Sequence, residues 1–272
     1  MMVQTTQNLT YNPEEEYEKD GIVYCKVCDE PRTVDVPAIG IMRCPCSCQR
    51  KENEKKMIAG KVEELRKSSL IGSRFSNATF MTTEITSKEF GLIYNRCRRY
   101  CEVADTVLSR GIGIYLYGDK GRGKTHLTAC MANQLITQLH SVLFTNFNEI
   151  SQAIKNTFGK QHIELGSGKT EQELMTKFAE VEFLFIDDFG TEKVSKGNED
   201  LWLQGKVYDI INSRYVNNRP TIFTSNYSLR ELVESRGVAD KTVDRIMEMT
   251  EIMKLEGVSY RKLLHQSREL PF

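Results

Sequence analysis

The sequence predicts an α/β protein, in which a parallel sheet has helices on both faces, preceded by a small zinc-binding domain. From residue 71 onward, short apolar runs alternate with segments whose apolar residues recur at helical spacing. This alternation is typical of a parallel sheet whose strands are connected by helices. Before that point, five of the eight cysteines lie between Cys25 and Cys48, and this density indicates a metal site.

Composition divides the 272 residues into four zones. Residues 1–20 are polar and acidic and are expected to form a disordered tail. The zinc-binding module follows at residues 21–49, a charged helical connector at 50–70, and the α/β domain at 71–272. No apolar run is long enough to span a bilayer and no signal peptide is recognisable, so we expect a protein of the bacterial cytoplasm with no membrane partner.

Charge excludes one class of function. The chain carries 37 basic and 37 acidic residues, which gives a formal net charge of zero. Proteins that bind nucleic acid through a broad basic face carry an excess of positive charge, which this chain lacks. Any contact with DNA is therefore expected to be local and sensitive to salt.

Five strands and six helices are expected in the α/β domain. The strands are Ile112–Tyr117, Val142–Thr145, Phe183–Asp187, Thr221–Thr224 and a less regular run at Glu251–Leu255. The helices are Glu89–Ser109, Lys124–Leu139, Asn148–Asn156, Glu171–Ala179, Leu201–Asn217 and Asp240–Met249. The polar, glycine-rich stretch Gly159–Lys169 is expected to be a mobile loop.

A complete phosphate-binding motif, G-x-x-x-x-G-K-T, occupies Gly118–Thr125. It lies between an expected strand and an expected helix, which is the context that makes the motif specific. In such a loop, backbone N–H groups surround phosphate oxygens, Lys124 would neutralise the β- and γ-phosphates, and Thr125 would hold Mg²⁺. A chance match in a glycine-rich turn is the alternative. The candidate contacts for ATP or ADP are Gly118, Asp119, Lys120, Gly121, Arg122, Gly123, Lys124, Thr125 and the adjoining His126, for which a structural role is the alternative.

Two further strands end in polar residues that suit ATP hydrolysis. The run Phe183–Asp188 ends in two carboxylates, at the edge where ligands bind in open α/β sheets. Asp187 would hold Mg²⁺ and Asp188 would orient or deprotonate the attacking water, with an Asp-rich turn as the alternative. Asn226, after the strand at Thr221–Thr224, would hydrogen-bond the attacking water or the γ-phosphate, although a lone Asn there is usually a turn residue.

The clustered cysteines have the spacing of a structural zinc site. Cys25 and Cys28 form a C-x-x-C pair, and a C-x-C-x-C run follows at Cys44, Cys46 and Cys48. Zinc takes four ligands in such sites, and the favoured set is Cys25, Cys28, Cys46 and Cys48, with Cys44 as an alternative ligand. Reduced free thiols are the other interpretation. Because the module has few apolar residues, the metal would supply its folding free energy.

Together these motifs resemble the DnaC/DnaI-type helicase loaders, which are AAA+ ATPases akin to the IstB-type transposition helpers. The resemblance covers residues from Ile71 to about His265. It rests on Gly118–Thr125, Phe183–Asp188, Arg219–Asn226 and Val258–Arg261, with Phe75–Phe80 similar to the segment that opens the AAA+ module. The second acidic residue is usually Glu in AAA+ proteins and here is Asp188, whose shorter side chain leads us to expect slow hydrolysis.

The resemblance implies an AAA+ P-loop core and a set of catalytic arginines. Arg245 matches the arginine that family members contribute to the active site of a neighbouring subunit, and Arg214 is the rival for that role. Arg261 matches the sensor arginine of the family. Because an arginine supplied in trans completes the site only across an interface, a homo-oligomer is implied when ATP is bound.

The expected function is that of a loader that uses ATP, binds a DnaB-type replicative helicase and assists its loading onto single-stranded DNA. By resemblance, the zinc module docks the helicase, and Thr191–Gly197 contacts DNA through Lys193 and Lys196. Two alternatives stay open: an IstB-like transposition helper that binds duplex DNA, and a nucleotide-binding adaptor with negligible turnover. The zinc module argues against the helper, since such proteins usually carry a different N-terminal region.

Overall fold

The structure is a computed structural model, and it describes residues 11–37, 39–157, 170–191, 198–257 and 259–260. The chain forms two compact units, residues 1–61 and residues 62–272. None of the described helices has the length and apolar character needed to cross a membrane.

The N-terminal unit begins with a β-hairpin. Strand β1 (Glu16–Lys19) pairs antiparallel with β2 (Ile22–Cys25). Asp20 and Gly21 connect them with φ values of 53° and 78°, and an Asp-Gly loop with two positive φ values is the type I′ turn that joins hairpin strands without distorting their twist. The expected disordered tail through residue 20 is therefore wrong for β1, because the Asp-Gly signal lies at the assumed zone boundary.

A second hairpin and a long helix complete this unit. Strand β3 (Thr33–Val36) pairs antiparallel with β4 (Gly40–Arg43), and helix α1 extends over Ser47–Ser68. Most of the helix is polar and exposed, and none of its residues is fully buried, but Val62 and Leu65 near its end are half-buried and pack against an apolar cluster of the C-terminal unit. Ion pairs one turn apart, such as Lys56 with Glu52 at 2.7 Å, lie on its surface.

Buried charge takes the place of a large apolar core in the N-terminal unit. The Glu16 carboxylate is 4% exposed and accepts hydrogen bonds from Arg32 (2.8 Å) and Arg43 (2.7 Å). Burial alone would raise the pKa of Glu16, but the hydrogen bonds from Arg43 and Arg32 lower it to about 2. Thr33 joins the hairpins, since its Oγ1 accepts from the backbone N–H of Val23 at 2.9 Å.

The C-terminal unit contains a five-stranded parallel sheet, which confirms the predicted α/β class. Its strands are β5 (Gly113–Tyr117), β6 (Val142–Asn146), β7 (Phe183–Asp187), β8 (Thr221–Ser225) and β9 (Thr250–Lys254). Their order across the sheet is β6-β7-β8-β5-β9, and every pairing is parallel. Strand β5 is the first strand of this sheet along the chain, and it therefore lies between the last two, β8 and β9.

Helices connect these strands and cover both faces of the sheet. They are α2 (Lys88–Glu102), α3 (Ala104–Arg110), α4 (Lys124–Thr137), α5 (Phe147–Lys155), α6 (Glu171–Glu180), α7 (Asn198–Val216), α8 (Leu229–Glu231) and α9 (Asp240–Met249). The single helix expected at Glu89–Ser109 is two helices, because the backbone leaves helical geometry at Val103, with φ −112° and ψ 31°. The expected loop Gly159–Lys169 lies outside the described residues.

Two apolar layers form the core of this unit. Alternate residues of β5 enter opposite layers: Ile114 and Leu116 pack with α2 and α4, whereas Tyr115 packs with α5, α7 and α9. This alternation follows from the two-residue repeat of a strand. A sheet that is buried on both faces leaves only its edges and strand ends for function.

Candidate nucleotide-binding site

The phosphate loop connects β5 to α4 at the carboxyl edge of the sheet. Gly118 and Gly123 have φ values of 147° and 91°, which favour glycine. A Cβ at Gly118 would lie 2.3 Å from the carbonyl oxygen of Leu255, so no side chain fits there. Helix α4 begins at Lys124, and its positive end faces the space that the loop encloses.

Lys124 is buried at the centre of this loop. Its ammonium donates to the carbonyl oxygens of Gly118 (2.7 Å) and Asp119 (3.0 Å) and to Oδ1 of Asn226 (2.9 Å). Burial lowers the pKa of Lys124, although the carboxylates of Asp188 and Asp187 oppose that shift. The cation is thus held by neutral oxygen atoms that a phosphate can replace.

Thr125 and Asp187 form an oxygen-lined group beside the loop. The Thr125 hydroxyl lies 3.0 Å from both carboxylate oxygens of Asp187, and Thr224 donates to Oδ1 of Asp187 at 2.5 Å. Burial raises the pKa of Asp187, while the hydrogen bond from Thr224 acts against that rise. A hydroxyl and a carboxylate are the hard ligands that suit Mg²⁺, so these residues fit the ion. The role of Thr224 was not predicted from the sequence.

Asp188 and Asn226 lie at the ends of β7 and β8, next to Lys124. Asp188 is exposed with a φ of 51°, and its N–H donates to Thr224 Oγ1 at 2.9 Å. Asn226 binds Lys124 through its oxygen, and its nitrogen lies 3.5 Å from Thr191 Oγ1. The structure therefore gathers the predicted phosphate, magnesium and water-orienting residues at one edge of the sheet.

The remaining residues of the motif have varied surroundings. Arg122 pairs with Asp119 and donates to the Leu255 carbonyl at 3.3 Å, while Lys120 is exposed. The Gly121 carbonyl accepts from the N–H of Tyr260 at 2.9 Å, which brings the chain after β9 to the loop. Three predicted side chains lie outside the described residues: Arg261, Lys193 and Lys196.

His126 makes its hydrogen-bond contact with a residue outside the phosphate loop. Its Nε2 lies 3.0 Å from the hydroxyl of Thr83, in the segment that precedes α2. Burial lowers the pKa of His126, so the neutral ring is favoured. This pairing agrees with the structural alternative for His126.

Arg214 cannot be the arginine supplied to a neighbouring subunit, because it is fully buried. Its guanidinium donates to the carbonyl oxygens of Phe178 (2.9 Å), Ala179 (3.2 Å), Val181 (2.8 Å), Glu182 (3.1 Å) and Pro220 (2.6 Å), and to Thr221 Oγ1 (2.9 Å). The side chain joins the end of α6 to the starts of β7 and β8. The rival role proposed for Arg214 is therefore wrong.

Arg245 has the accessibility that Arg214 lacks. Its side chain is 33% exposed, and it contacts Asn212 at 3.2 Å and Glu248 at 2.9 Å. The guanidinium lies 4.5 Å from the ring centroid of Tyr215. These contacts fix a charged group on the surface formed by α7 and α9.

The N-terminal unit brings four cysteine sulfur atoms to one point. The Sγ atoms of Cys25, Cys28, Cys46 and Cys48 all lie within 4.8 Å of one another. Tetrahedral zinc, with Zn–S bonds of about 2.3 Å, holds its sulfur ligands about 3.8 Å apart, so the four residues fit this ion. Cys44 is outside the group, and its sulfur faces the Pro31 carbonyl at 3.6 Å.

The surroundings of Cys25 and Cys46 favour thiolates, whereas the hydrogen bonds with Cys46, Cys25 and Cys28 raise the pKa of Cys48 to about 12. Backbone N–H groups of Cys28 and Val27 lower the pKa of Cys25. Burial would raise the pKa of Cys46, but hydrogen bonds from Cys48, from the N–H of Gln49 and from Arg32 lower it to about 6. Donors of this kind stabilise the deprotonated ligands that metal binding requires.

Comparisons with known proteins agree with this geometry. The model of the family described as IstB-like ATP binding protein matches residues 106–269. The chain is 28% identical over 240 residues to the replicative helicase loader DnaI of Bacillus subtilis, covering 82% of this chain and 70% of that protein. It is 28% identical over 152 residues to the replicative helicase loader DnaC of Escherichia coli, covering 56% of each, so the match spans about half of DnaC.

Solved structures share the fold. The crystal structure of DnaI aligns with a TM-score of 0.53 and 20% identity, covering 71% of this chain and 95% of that one. The crystal structure of the DnaC helicase loader aligns with a TM-score of 0.56 and 22% identity, covering 68% and 100% of the two chains. At this identity the likeness establishes the AAA+ fold of the C-terminal unit.

Proposed function

Since this chain belongs to the IstB-like ATP-binding protein family, we propose that it is an ATP-dependent loader of a DnaB-type replicative helicase onto single-stranded DNA. The observation that carries this proposal is the extent of the similarity to the helicase loader DnaI, which covers 82% of the chain. That share is larger than the C-terminal unit, so the similarity includes some residues that precede this unit. Its extent favours a loader over an ATPase that is similar only in part of its nucleotide-binding domain.

ATP binding would use the groups that the loop already orients. Lys124 would exchange its contact with Asn226 for the β- and γ-phosphate oxygens, and the N–H groups at the start of α4 would bind the same phosphates. Thr125 and Asp187 would hold Mg²⁺, which supplies positive charge to the transferring phosphoryl group. Asn226, once released from Lys124, would be free to hydrogen-bond the γ-phosphate or the attacking water.

Hydrolysis would depend on Asp188. Its carboxylate is exposed next to the half-buried Asp187, and it would orient the attacking water or accept its proton. Because Asp is one methylene shorter than the Glu that AAA+ proteins usually carry here, turnover would be slow, and the nucleotide would act mainly as a switch. Arg245, accessible on the α7–α9 surface, would complete the site of a neighbouring subunit in an ATP-bound homo-oligomer.

The zinc module would provide the helicase contact. Its surface presents apolar side chains that nothing in the described part of the N-terminal unit covers: Val27 is 82% exposed and Ile39 is 71% exposed. Exposed apolar side chains on a small unit are a feature of protein interaction sites. A zinc ion held by Cys25, Cys28, Cys46 and Cys48 would keep Val27 in place, because it lies between two of the ligands.

Capture of a purified DnaB-type helicase tests the loader function. The full-length protein should retain the helicase, and a protein truncated to residues 69–272 should bind ATP but lose most of that affinity. Full-strength capture by the truncated protein would contradict docking through the zinc module. No capture by either form would remove the loader proposal itself.

The ATPase part of the proposal has its own test. Lys124→Ala should abolish ATP binding in a titration with a fluorescent ATP analogue, since the loop loses its buried cation, whereas Lys88→Ala, an exposed lysine outside the site, should bind normally. Asp188→Asn should bind ATP but not hydrolyse it. Normal turnover by Asp188→Asn would assign the water-orienting role to another residue.

A transposition helper of the IstB type is the second candidate, because the matching family model is described as IstB-like ATP binding protein. It predicts filaments on duplex DNA in the presence of ATP, visible by electron microscopy, and no capture of the helicase. A nucleotide-binding adaptor predicts neither filaments nor turnover, even with DNA and helicase present.

A further inference from the structure

The turn that follows β7, Asp188–Thr191, is attached to β8 by three hydrogen bonds. Thr224 accepts from the N–H of Asp188 at its Oγ1 (2.9 Å) and from the N–H of Phe189 at its carbonyl (2.8 Å). The Ser225 hydroxyl donates to the Phe189 carbonyl at 2.7 Å. These bonds hold the backbone of Asp188 and Phe189 against β8, but none of them involves Gly190 or Thr191.

Arg236 holds the second half of the turn. Its Nε donates to the Gly190 carbonyl at 2.7 Å, and its Nη2 donates to the Thr191 carbonyl. The guanidinium lies 4.7 Å from the ring centroid of Tyr227, which favours one orientation of the plane. Within the described part of the chain, no carboxylate is in ion-pair range of Arg236, so backbone carbonyls are its polar partners.

The backbone around Arg236 is arranged for this contact. Arg236 ends a π-helical segment, Leu232–Arg236, and Gly237 follows with a φ of 77°. Short π-helical segments are rare and often mark functional sites. The segment also packs tightly on the turn, since a Cβ at Gly190 would lie 2.1 Å from Cδ2 of Leu232.

The same turn is linked to the phosphate loop. Asn226 lies between Lys124, whose ammonium it binds at 2.9 Å, and Thr191, whose Oγ1 is 3.5 Å from its nitrogen. A bound phosphate that takes over Lys124 changes what Asn226 contacts. The contact between Asn226 and the turn would therefore depend on the nucleotide, whereas the contacts of Arg236 with the turn involve no residue proposed to bind the nucleotide.

We infer that Arg236 is a positioning residue: it anchors the turn Asp188–Thr191, so that Asp188 keeps its place when Asn226 leaves Lys124 for the nucleotide. This inference rests on the proposed ATPase function. It assigns Arg236 an effect on the hydrolytic step and none on nucleotide affinity, because Arg236 contacts the turn and the Tyr227 ring but none of the residues proposed to bind the nucleotide. A displacement of about 1 Å in a catalytic group can lower a rate by about a hundredfold.

The test compares Arg236→Gln with Arg230→Gln in the full-length protein. Arg230 lies in the same region of the chain, but its side chain is 83% exposed and pairs with the exposed Glu234. We expect Arg236→Gln to lower kcat about ten- to a hundredfold with KM and ATP-analogue affinity unchanged, and Arg230→Gln to match the wild type. Arg236→Lys, which can still donate to the two carbonyls, should recover part of the lost kcat.

Hydrogen exchange separates this inference from the ATPase proposal. The N–H groups of Asp188, Phe189 and Thr191 are hydrogen-bonded, so they should exchange faster in Arg236→Gln than in the wild type or Arg230→Gln. Unchanged exchange in Arg236→Gln would overturn the anchoring role, whether or not the wild type hydrolyses ATP. Absence of turnover in the wild type would contradict the ATPase proposal instead. Faster exchange with a normal kcat, or a rise in KM with kcat unchanged, would overturn the positioning role.

Discussion

The two units of this protein are stabilised by different kinds of interaction. The C-terminal unit encloses its sheet between two apolar layers. The described part of the N-terminal unit buries only Val23, Cys25 and Cys46 among its apolar side chains, and at its centre it places the charged group Glu16–Arg32–Arg43. One unit relies on burial of apolar area, and the other on specific polar contacts and on thiols that converge.

This difference follows from size. A unit of about 60 residues buries a smaller fraction of its surface than a larger domain and often needs a metal or disulfides for stability. The four converging sulfur atoms and the paired charges provide stability through a few contacts, whereas the larger unit obtains its stability from many apolar contacts. The smaller unit should therefore depend strongly on a few groups, and each of the following predictions tests that contrast.

Metal removal should have the largest effect and should act on one unit alone. We expect one zinc per chain, and a strong chelator should unfold the N-terminal unit, because the metal contributes most of its folding free energy. Nucleotide affinity of the C-terminal unit should be unchanged. Metal analysis with hydrogen exchange over residues 11–61 measures both, and a zinc-free protein with β1–β4 still protected would contradict the prediction.

Arg214→Met should destabilise the C-terminal unit by at least about 3 kcal/mol, because it leaves several buried carbonyl groups without a donor, each worth about 1–3 kcal/mol. Urea unfolding followed by the emission of Trp202, the only tryptophan, measures this. Arg230→Met, at an exposed position, is the matched control and should change little. Equal stabilities of the two variants would mean that apolar burial alone determines the stability of this unit.

Glu16→Gln should destabilise the N-terminal unit by about 2 kcal/mol, since hydrogen bonds to charged groups contribute about 1.5–3 kcal/mol. The pKa of Glu16 is lowered from 4.5 to about 2, so its contribution is complete above pH 4.5 and declines as the pH falls toward 2. Hydrogen exchange of β1 and β2 in the zinc-loaded protein measures the change at neutral pH. The exposed Glu18→Gln serves as control. An identical effect of both variants would mean that the buried contacts of Glu16 do not stabilise the N-terminal unit.

Cys44→Ser should have the smallest effect, with zinc content and stability like those of the wild type, because the Cys44 sulfur faces the Pro31 carbonyl rather than the other thiols. Cys48→Ser should lose the metal, since Cys48 lies 3.1–3.5 Å from each of the other three sulfur atoms. Titration with a coloured zinc indicator distinguishes the two. Metal loss in Cys44→Ser with retention in Cys48→Ser would mean that Cys44, and not Cys48, is the fourth zinc ligand.

The sequence predicted the strands of the sheet well because their signals are local. Runs such as Phe183–Asp187 are apolar over their whole length, and β7 has these same bounds. Interactions between distant segments were less accessible. Arg214 has the sequence context of an exposed helical arginine, and only the meeting of α6, β7 and β8 shows it to be buried.

The candidate site divides in the same way. The phosphate loop and the acidic pair are contiguous motifs, so their residues could be named from the sequence. Thr224 and Arg236 act through contacts with a turn on another segment, and no spacing rule connects them to it. The Thr-Ser-Asn run at the end of β8 was a usable signal for Thr224, whereas Arg236 had none.

The strand order has a consequence for how the chain acquires its structure during synthesis. The cysteine cluster is complete once Cys48 has left the ribosome, and its contacts span few residues. Strand β5 emerges first among the strands of the sheet, but its neighbours β8 and β9 are the last two. Because distant pairings form slowly, the N-terminal unit would fold, and could bind zinc, before β9 has been synthesised and can pair with β5 beside the phosphate loop.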